Sequence, residues 1–198
     1  MKSVSIEGKP RADFGKTNTR TLRATGEVPC VIYGGDTPVH FSAPTIAFKK
    51  LVYTPEFQLA EVTVDGRMHR CILKDLQFDV VTDELTHVDF LELVEGRKIV
   101  ANLPLKFTGS SVGVKAGGRM EVRLKTLKVR TEPQYLRENI TVDVSALEIG
   151  GNLRVQEVDA ANMEVMNAPR QPVVSIVTTR ALRQAEQEEK AAAATAKK

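Results

Sequence analysis

Only two cysteines, Cys30 and Cys71, occur in the 198 residues, both inside apolar strand-like runs and far apart in the chain. That pattern excludes a disulfide framework and a zinc knuckle, and it makes both thiols reduced, small hydrophobes. No metal or other cofactor is expected. No apolar run approaches the roughly 18 residues that a membrane-crossing helix needs, and the opening MKSVSIEGK lacks the apolar core of a signal peptide. The expectation is a cytoplasmic protein with no membrane partner. Charge of one sign is also scarce: the net charge of +3 is weaker than the footprint of a dedicated nucleic-acid binder.

The distribution of charge says more than its sum. Residues 1–50 carry eight Lys or Arg against four Asp or Glu, whereas residues 51–97 carry four against ten. This splits the N-terminal half into a basic lobe and an acidic lobe, and the acidic one is expected to point away from phosphate, where it limits indiscriminate binding. Apolar residues make up 42% of the chain, enough for a packed core.

Alternation of apolar and polar residues marks the elements. Ser3–Glu7 reads as a strand ended by Gly8–Pro10, and Val28–Tyr33 as a buried strand closed by Gly34-Gly35. Val39–Ser42 reads as a further short strand. Pro44 and the apolar set Ile46, Phe48, Leu51 and Val52 predict a helix over Ala43–Tyr53 that caps an open sheet end. Leu59–Val64 and Met68–Leu73 flank Asp65-Gly66, a strong hairpin signal. Leu76–Val81 and Thr86–Val94 follow as strands. A small barrel with two or three short helices closes from these pieces.

A new pattern begins after Glu95-Gly96-Arg97, so the domain boundary is placed there: 1–95 is one domain and 98–179 a second, all-β domain. In the second, the runs 100–107, 120–129, 140–144, 153–158 and 173–177 are punctuated by Gly and Pro. Residues 112–118 read first as a plain surface loop, with phosphate binding through Lys115 and Arg119 as the alternative. The tail, 180–198, is rich in Ala, Glu, Gln and Lys and is expected to be a frayed helix or disordered.

Three stretches bear on function. Arg11, Lys16, Arg20 and Arg23 precede the strand that ends at Tyr33. If residues 17–25 are helical, Lys16, Arg20 and Arg23 fall at i, i+4 and i+7 on one face, a row along which a phosphate backbone can lie. A merely solvated basic face is the competing reading. Tyr33 is either a core ring with a wet tip or a hydrogen-bonding hydroxyl. Gly15-Lys16-Thr17 imitates the end of a P-loop, but the first glycine of that motif would stand at Pro10, which has no N–H to aim at phosphate, so nucleotide hydrolysis is excluded. His87 and Asp89, two apart on a strand, point the same way. A carboxylate orienting an imidazole suggests catalysis, yet no nucleophile accompanies the pair, and a hydrogen-bonded strand pair reads better. No enzyme and no small-molecule substrate are expected.

The run LRATGEVPCVIYGG, with Arg11 upstream and His87-Val88-Asp89-Phe90 downstream, resembles the 5S-rRNA-binding large-subunit ribosomal proteins of the general stress protein CTC family. Gly113–Gly118 and Val142–Gly150 extend the likeness to the longer, two-domain members. The resemblance implies a structural, ribosome-associated protein whose N-terminal barrel docks on 5S rRNA. It implies an RNA-facing set of Arg11, Arg23, Tyr33, His87 and Asp89, to which the helical basic row adds Lys16 and Arg20, with Gly34 at the strand end as a further candidate. The second domain would then meet neighbouring ribosomal proteins or 23S rRNA. A stress-related protein-interaction module with minor RNA binding is the other reading.

Overall fold

The computed structural model describes residues 1–179 and residue 184. The tail expected to be frayed or disordered therefore lies, but for one residue, outside the described part. Among the described residues no helix is long and apolar enough to cross a membrane.

The N-terminal strands are β1 (Ser3–Pro10), β2 (Glu27–Tyr33), β3 (Val39–Pro44), β4 (Leu59–Val64), β5 (Arg67–Phe78) and β6 (Leu85–Glu92). They close into a barrel in the order β1-β3-β2-β6-β5-β4. Two of its seams are parallel, β1 with β4 and β2 with β6. Strand periodicity sends one face inward: Val28, Cys30 and Ile32 of β2, and Val88 and Phe90 of β6, are at most 1% exposed. Phe90 sits between Phe41 and Phe48, with ring centroids 5.9 and 6.2 Å away. Gly8 is required in the wall, because a Cβ there would collide with the Phe41 ring.

Helix α1 (Lys16–Ala24) precedes β2, and α2 (Thr45–Val52) follows β3. The latter buries Phe48 and Leu51 in the barrel core, the capping role its apolar spacing predicts. Its start is tied to the end of α1, since the Thr45 amide and hydroxyl both donate to the Gly26 carbonyl. The Asp65-Gly66 hairpin forms as expected, with φ of 49° and 74° at its two central residues.

One long strand replaces two expected ones. β5 runs unbroken through the region read as ending at Leu73 and restarting at Leu76. A register shift between Leu73 and Asp75 inverts the inward phase there, so that Leu73 and Leu76 both pack on the core. The strand then stops at Phe78. Val80 and Val81, expected within it, stand in the turn to β6.

Both cysteines are free and buried. Burial, with Glu92 adding to it, leaves the Cys71 thiol pushed up to about 12. Burial first and Asp89 second raise that of Cys30.

The described residues divide into two compact units, one of Met1–Ala101 with Arg130–Glu138, the other of Asn102–Val129 with residues 139–179. The returning segment is bonded to the first unit at Glu138, which accepts from the amides of Lys2 and Phe57. The C-terminal strands are β7 (Ile99–Thr108), β8 (Arg119–Val122), β9 (Thr126–Thr131), β10 (Ile140–Asp143), β11 (Asn152–Arg154), β12 (Glu164–Val165) and β13 (Pro172–Val177). They form a four-stranded sheet, β10-β7-β9-β12, and a three-stranded one, β11-β13-β8. The run 120–129 is thus two strands in different sheets. Residues 112–118 are no plain loop: Val112–Lys115 is a one-turn helix, α3, capped by the Ser111 hydroxyl, and Gly113 lies so close to the Glu148–Ile149 backbone that a Cβ would stand 2.7 Å from it. The mainly β architecture, an N-terminal barrel followed by a second β domain, is as expected.

Candidate nucleic-acid interface

The outward residues of four adjacent strands make one continuous wall. The parallel register sets Asp89 beside Val31, and the antiparallel registers set Val31 beside His40 and Asp89 beside Asp75. Beyond His40 the chain leaving β1 joins the row, where the Arg11 amide donates to the His40 carbonyl at 3.0 Å. Arg11, His40, Val31, Asp89 and Asp75 therefore follow one another across the barrel. They come from five separate stretches of sequence.

Tyr33 lies one pleat along from Val31, opposite Leu91. Its hydroxyl pKa is raised, chiefly by partial burial and then by Asp89 and Asp75, so the group stays a protonated donor at neutral pH. His87 Nδ1 lies 2.7 Å from Asp89 Oδ1, within ion-pair reach of the carboxylate. The carboxylate thus sits beside one nitrogen of the imidazole. Gln77 is the register partner of His87 on the next strand.

Helix α1 borders the wall. Arg23, in its last turn, donates from Nε to the Thr86 carbonyl at 3.1 Å, which brings the guanidinium to the residue before His87. Lys16 and Arg20 continue the basic row along the helix, and both are exposed. The helix begins at Lys16 and not at Thr17, and its N-cap is Gly15, whose φ of 139° suits a residue without a Cβ. Thr19 and Thr21 turn their hydroxyls back to the carbonyls of Gly15 and Thr17, so neither threonine serves as a cap.

Gly34 has a backbone reason to be glycine. Its φ is 103°, a Cβ would lie 2.7 Å from Leu91 Cδ1, and its carbonyl accepts from Arg97 Nη1 at 2.8 Å.

The structure thus gathers Arg11, Tyr33, His87 and Asp89 on one wall, with Arg23 at its edge. The separation into basic and acidic lobes does not survive barrel closure: Asp75 and Asp89 share the wall with Arg11, because β2 sits between the basic and acidic segments. Sequence reasoning missed His40, Gln77 and Phe14. The Phe14 ring, 61% exposed, meets His40 edge-on at a centroid distance of 4.7 Å. An aromatic set between Arg11 and Lys16 in an otherwise polar loop was the available signal for it, and the alternation Val39-His40-Phe41 was the signal for His40.

The wall can offer guanidinium and ammonium groups to phosphates, a phenol and an imidazole to sugar or base edges, and carboxylates that accept from 2′-hydroxyls or amino groups. Residues 6–90 match the Ribosomal L25p family, and residues 98–180 match the family described as Ribosomal protein TL5, C-terminal domain. The chain is 40% identical over 190 residues to the large ribosomal subunit protein bL25 of Phocaeicola vulgatus, covering 92% of this chain and 96% of that one. It is 35% identical over 186 residues to bL25 of Cytophaga hutchinsonii, covering 94% and 97%. To bL25 of Bacteroides fragilis it is 36% identical over 188 residues, covering 92% and 96%.

Proposed function

Because this chain belongs to the Ribosomal L25p family of large-subunit ribosomal proteins, we propose that it binds 5S ribosomal RNA through the barrel wall and the helix beside it. It is a structural protein of the ribosome and not an enzyme, so the His87–Asp89 pair serves recognition. Arg11, Lys16, Arg20 and Arg23 contact phosphates. Tyr33 donates to a sugar or base acceptor. His87 and Asp89 fix register on the shallow minor groove of an A-form helix, where 2′-hydroxyls and base edges are within reach. Gln77 and His40 extend the same surface. Gly34 lets the backbone turn away from the RNA without a side chain in the path. The second β domain, taken as residues 98–179, adds contacts within the subunit, to 23S rRNA or a neighbouring ribosomal protein.

The observation that carries this reading is the parallel β2–β6 register, which puts Asp89 beside Val31 and so joins polar groups more than fifty residues apart into one face. Phosphate contacts position a protein, whereas side chains such as these select the site. The test is hydroxyl-radical footprinting of the purified protein on naked 5S rRNA. A single protected helical region is expected, and it should disappear in the Arg11→Ala, Arg23→Ala double variant. Protection that is absent, or unchanged in that variant, removes the assignment.

A further inference from the structure

The turn from β5 to β6, Asp79–Glu84, holds two adjacent valines almost wholly in solvent: Val80 is 97% and Val81 91% exposed, beside a Phe78 that is 40% exposed. The turn is tightly built. Asp79 Oδ1 accepts from the Val81 and Thr82 amides at 2.9 and 3.1 Å. The Asp79 amide donates to the Glu84 carbonyl, and its own carbonyl accepts from Asp83, which adopts a φ of 55°. Thr86 closes the base by donating from its hydroxyl to the Gln77 carbonyl. The valines are therefore held out by a fixed scaffold.

Charge indicates what covers them. The turn Asp79–Glu84 holds three carboxylates, Asp79, Asp83 and Glu84, and no lysine or arginine. The two amide bonds hold the Asp79 carboxyl below its ordinary range, so the turn keeps its charge. Phosphate, whether of RNA or of a lipid surface, is repelled at such a site. A basic protein surface with an apolar socket is attracted to it, and burying the valines supplies the driving force.

We infer that the β5–β6 turn is a protein-docking knob, which seats Val80 and Val81 in a basic neighbouring protein of the large subunit. This rests on the ribosomal reading above, but the knob residues, Asp79 to Glu84, are none of the proposed RNA contacts. The decisive experiment assembles the full chain, carrying a photo-crosslinking amino acid in place of Val80, into large subunits. The expected adduct survives ribonuclease, is destroyed by protease, and contains a second, basic protein. An adduct to RNA alone, a dimer of this chain, or no adduct overturns the inference. In parallel, the Val80→Asn, Val81→Asn variant should bind naked 5S rRNA within about two-fold of wild type, yet occupy depleted subunits roughly ten-fold less well. Unchanged occupancy sinks the docking knob alone. Wild-type chain that fails to bind naked 5S rRNA sinks the RNA assignment and leaves the crosslink to judge the knob.

Discussion

His87 Nδ1 and Asp89 Oδ1 lie 2.7 Å apart on the outer face of β6, side chains two residues apart on one strand. In the proposed RNA interface the two residues are expected to act as one recognition unit. Single His87→Ala and Asp89→Ala variants are each expected to weaken 5S rRNA binding, and the double variant to be less than additive by about 1 kcal/mol. Full additivity in a filter-binding cycle would show that the two side chains work independently.

Arg23 contributes a charge and also a hydrogen bond to Thr86. Replacing it with alanine should lower the slope of log affinity against log salt by about one unit. Arg23→Lys keeps the charge and should retain the slope, while losing the planar contact. A slope that is the same in all three proteins takes Arg23 out of the phosphate contacts.

Tyr33 retains its hydroxyl proton well beyond neutral pH, since burial and the nearby Asp89 and Asp75 disfavour the phenolate. Tyr33→Phe should leave the melting temperature almost unchanged and weaken RNA binding by roughly ten-fold, as expected for one lost hydrogen bond. Equal affinity of the two proteins by titration calorimetry assigns the ring to packing only.

Gly34 combines a left-handed backbone with a crowded Cβ direction, 2.7 Å from Leu91 Cδ1. Gly34→Ala is therefore expected to lower stability by about 1–3 kcal/mol in chemical denaturation. Arg97→Ala, which removes the guanidinium bonded to the Gly34 carbonyl, should cost less. A neutral Gly34→Ala would show that the turn relaxes freely.

Glu27 accepts from Lys9 Nζ at 2.7 Å and from the Ser42 hydroxyl at 2.9 Å, linking β1, β2 and β3. These bonds, that from Lys9 first, hold its carboxyl below the ordinary 4.5. A folded-state value below the unfolded one means that the stabilisation is present above the unfolded value and is lost as pH falls through the folded one. Wild type should thus lose stability faster than Glu27→Gln as the pH drops below about 4.5. Parallel acid-denaturation curves would show that the contact does not link folding to protonation.

Much of this molecule is written in short-range pattern. Alternation marked β2, β3 and β6 because a half-buried strand repeats every two residues. Asp65-Gly66 marked a hairpin because few other residues accept positive φ at adjacent positions, and the basic row of α1 is a matter of helical spacing. Where a bulge reversed the phase, at Leu73 to Asp75, the same logic split one strand into two and hid the exposed Val80 and Val81. What periodicity could not supply was which strand lies beside which. The pairing of β2 with β6, separated by three other strands and a helix, depends on closing a barrel around Phe41, Phe48 and Phe90 and leaves no local trace. Only that closure decided that Arg11, His40 and Asp89 share a wall, because side-chain direction is a property of the strand and side-chain neighbourhood a property of the sheet.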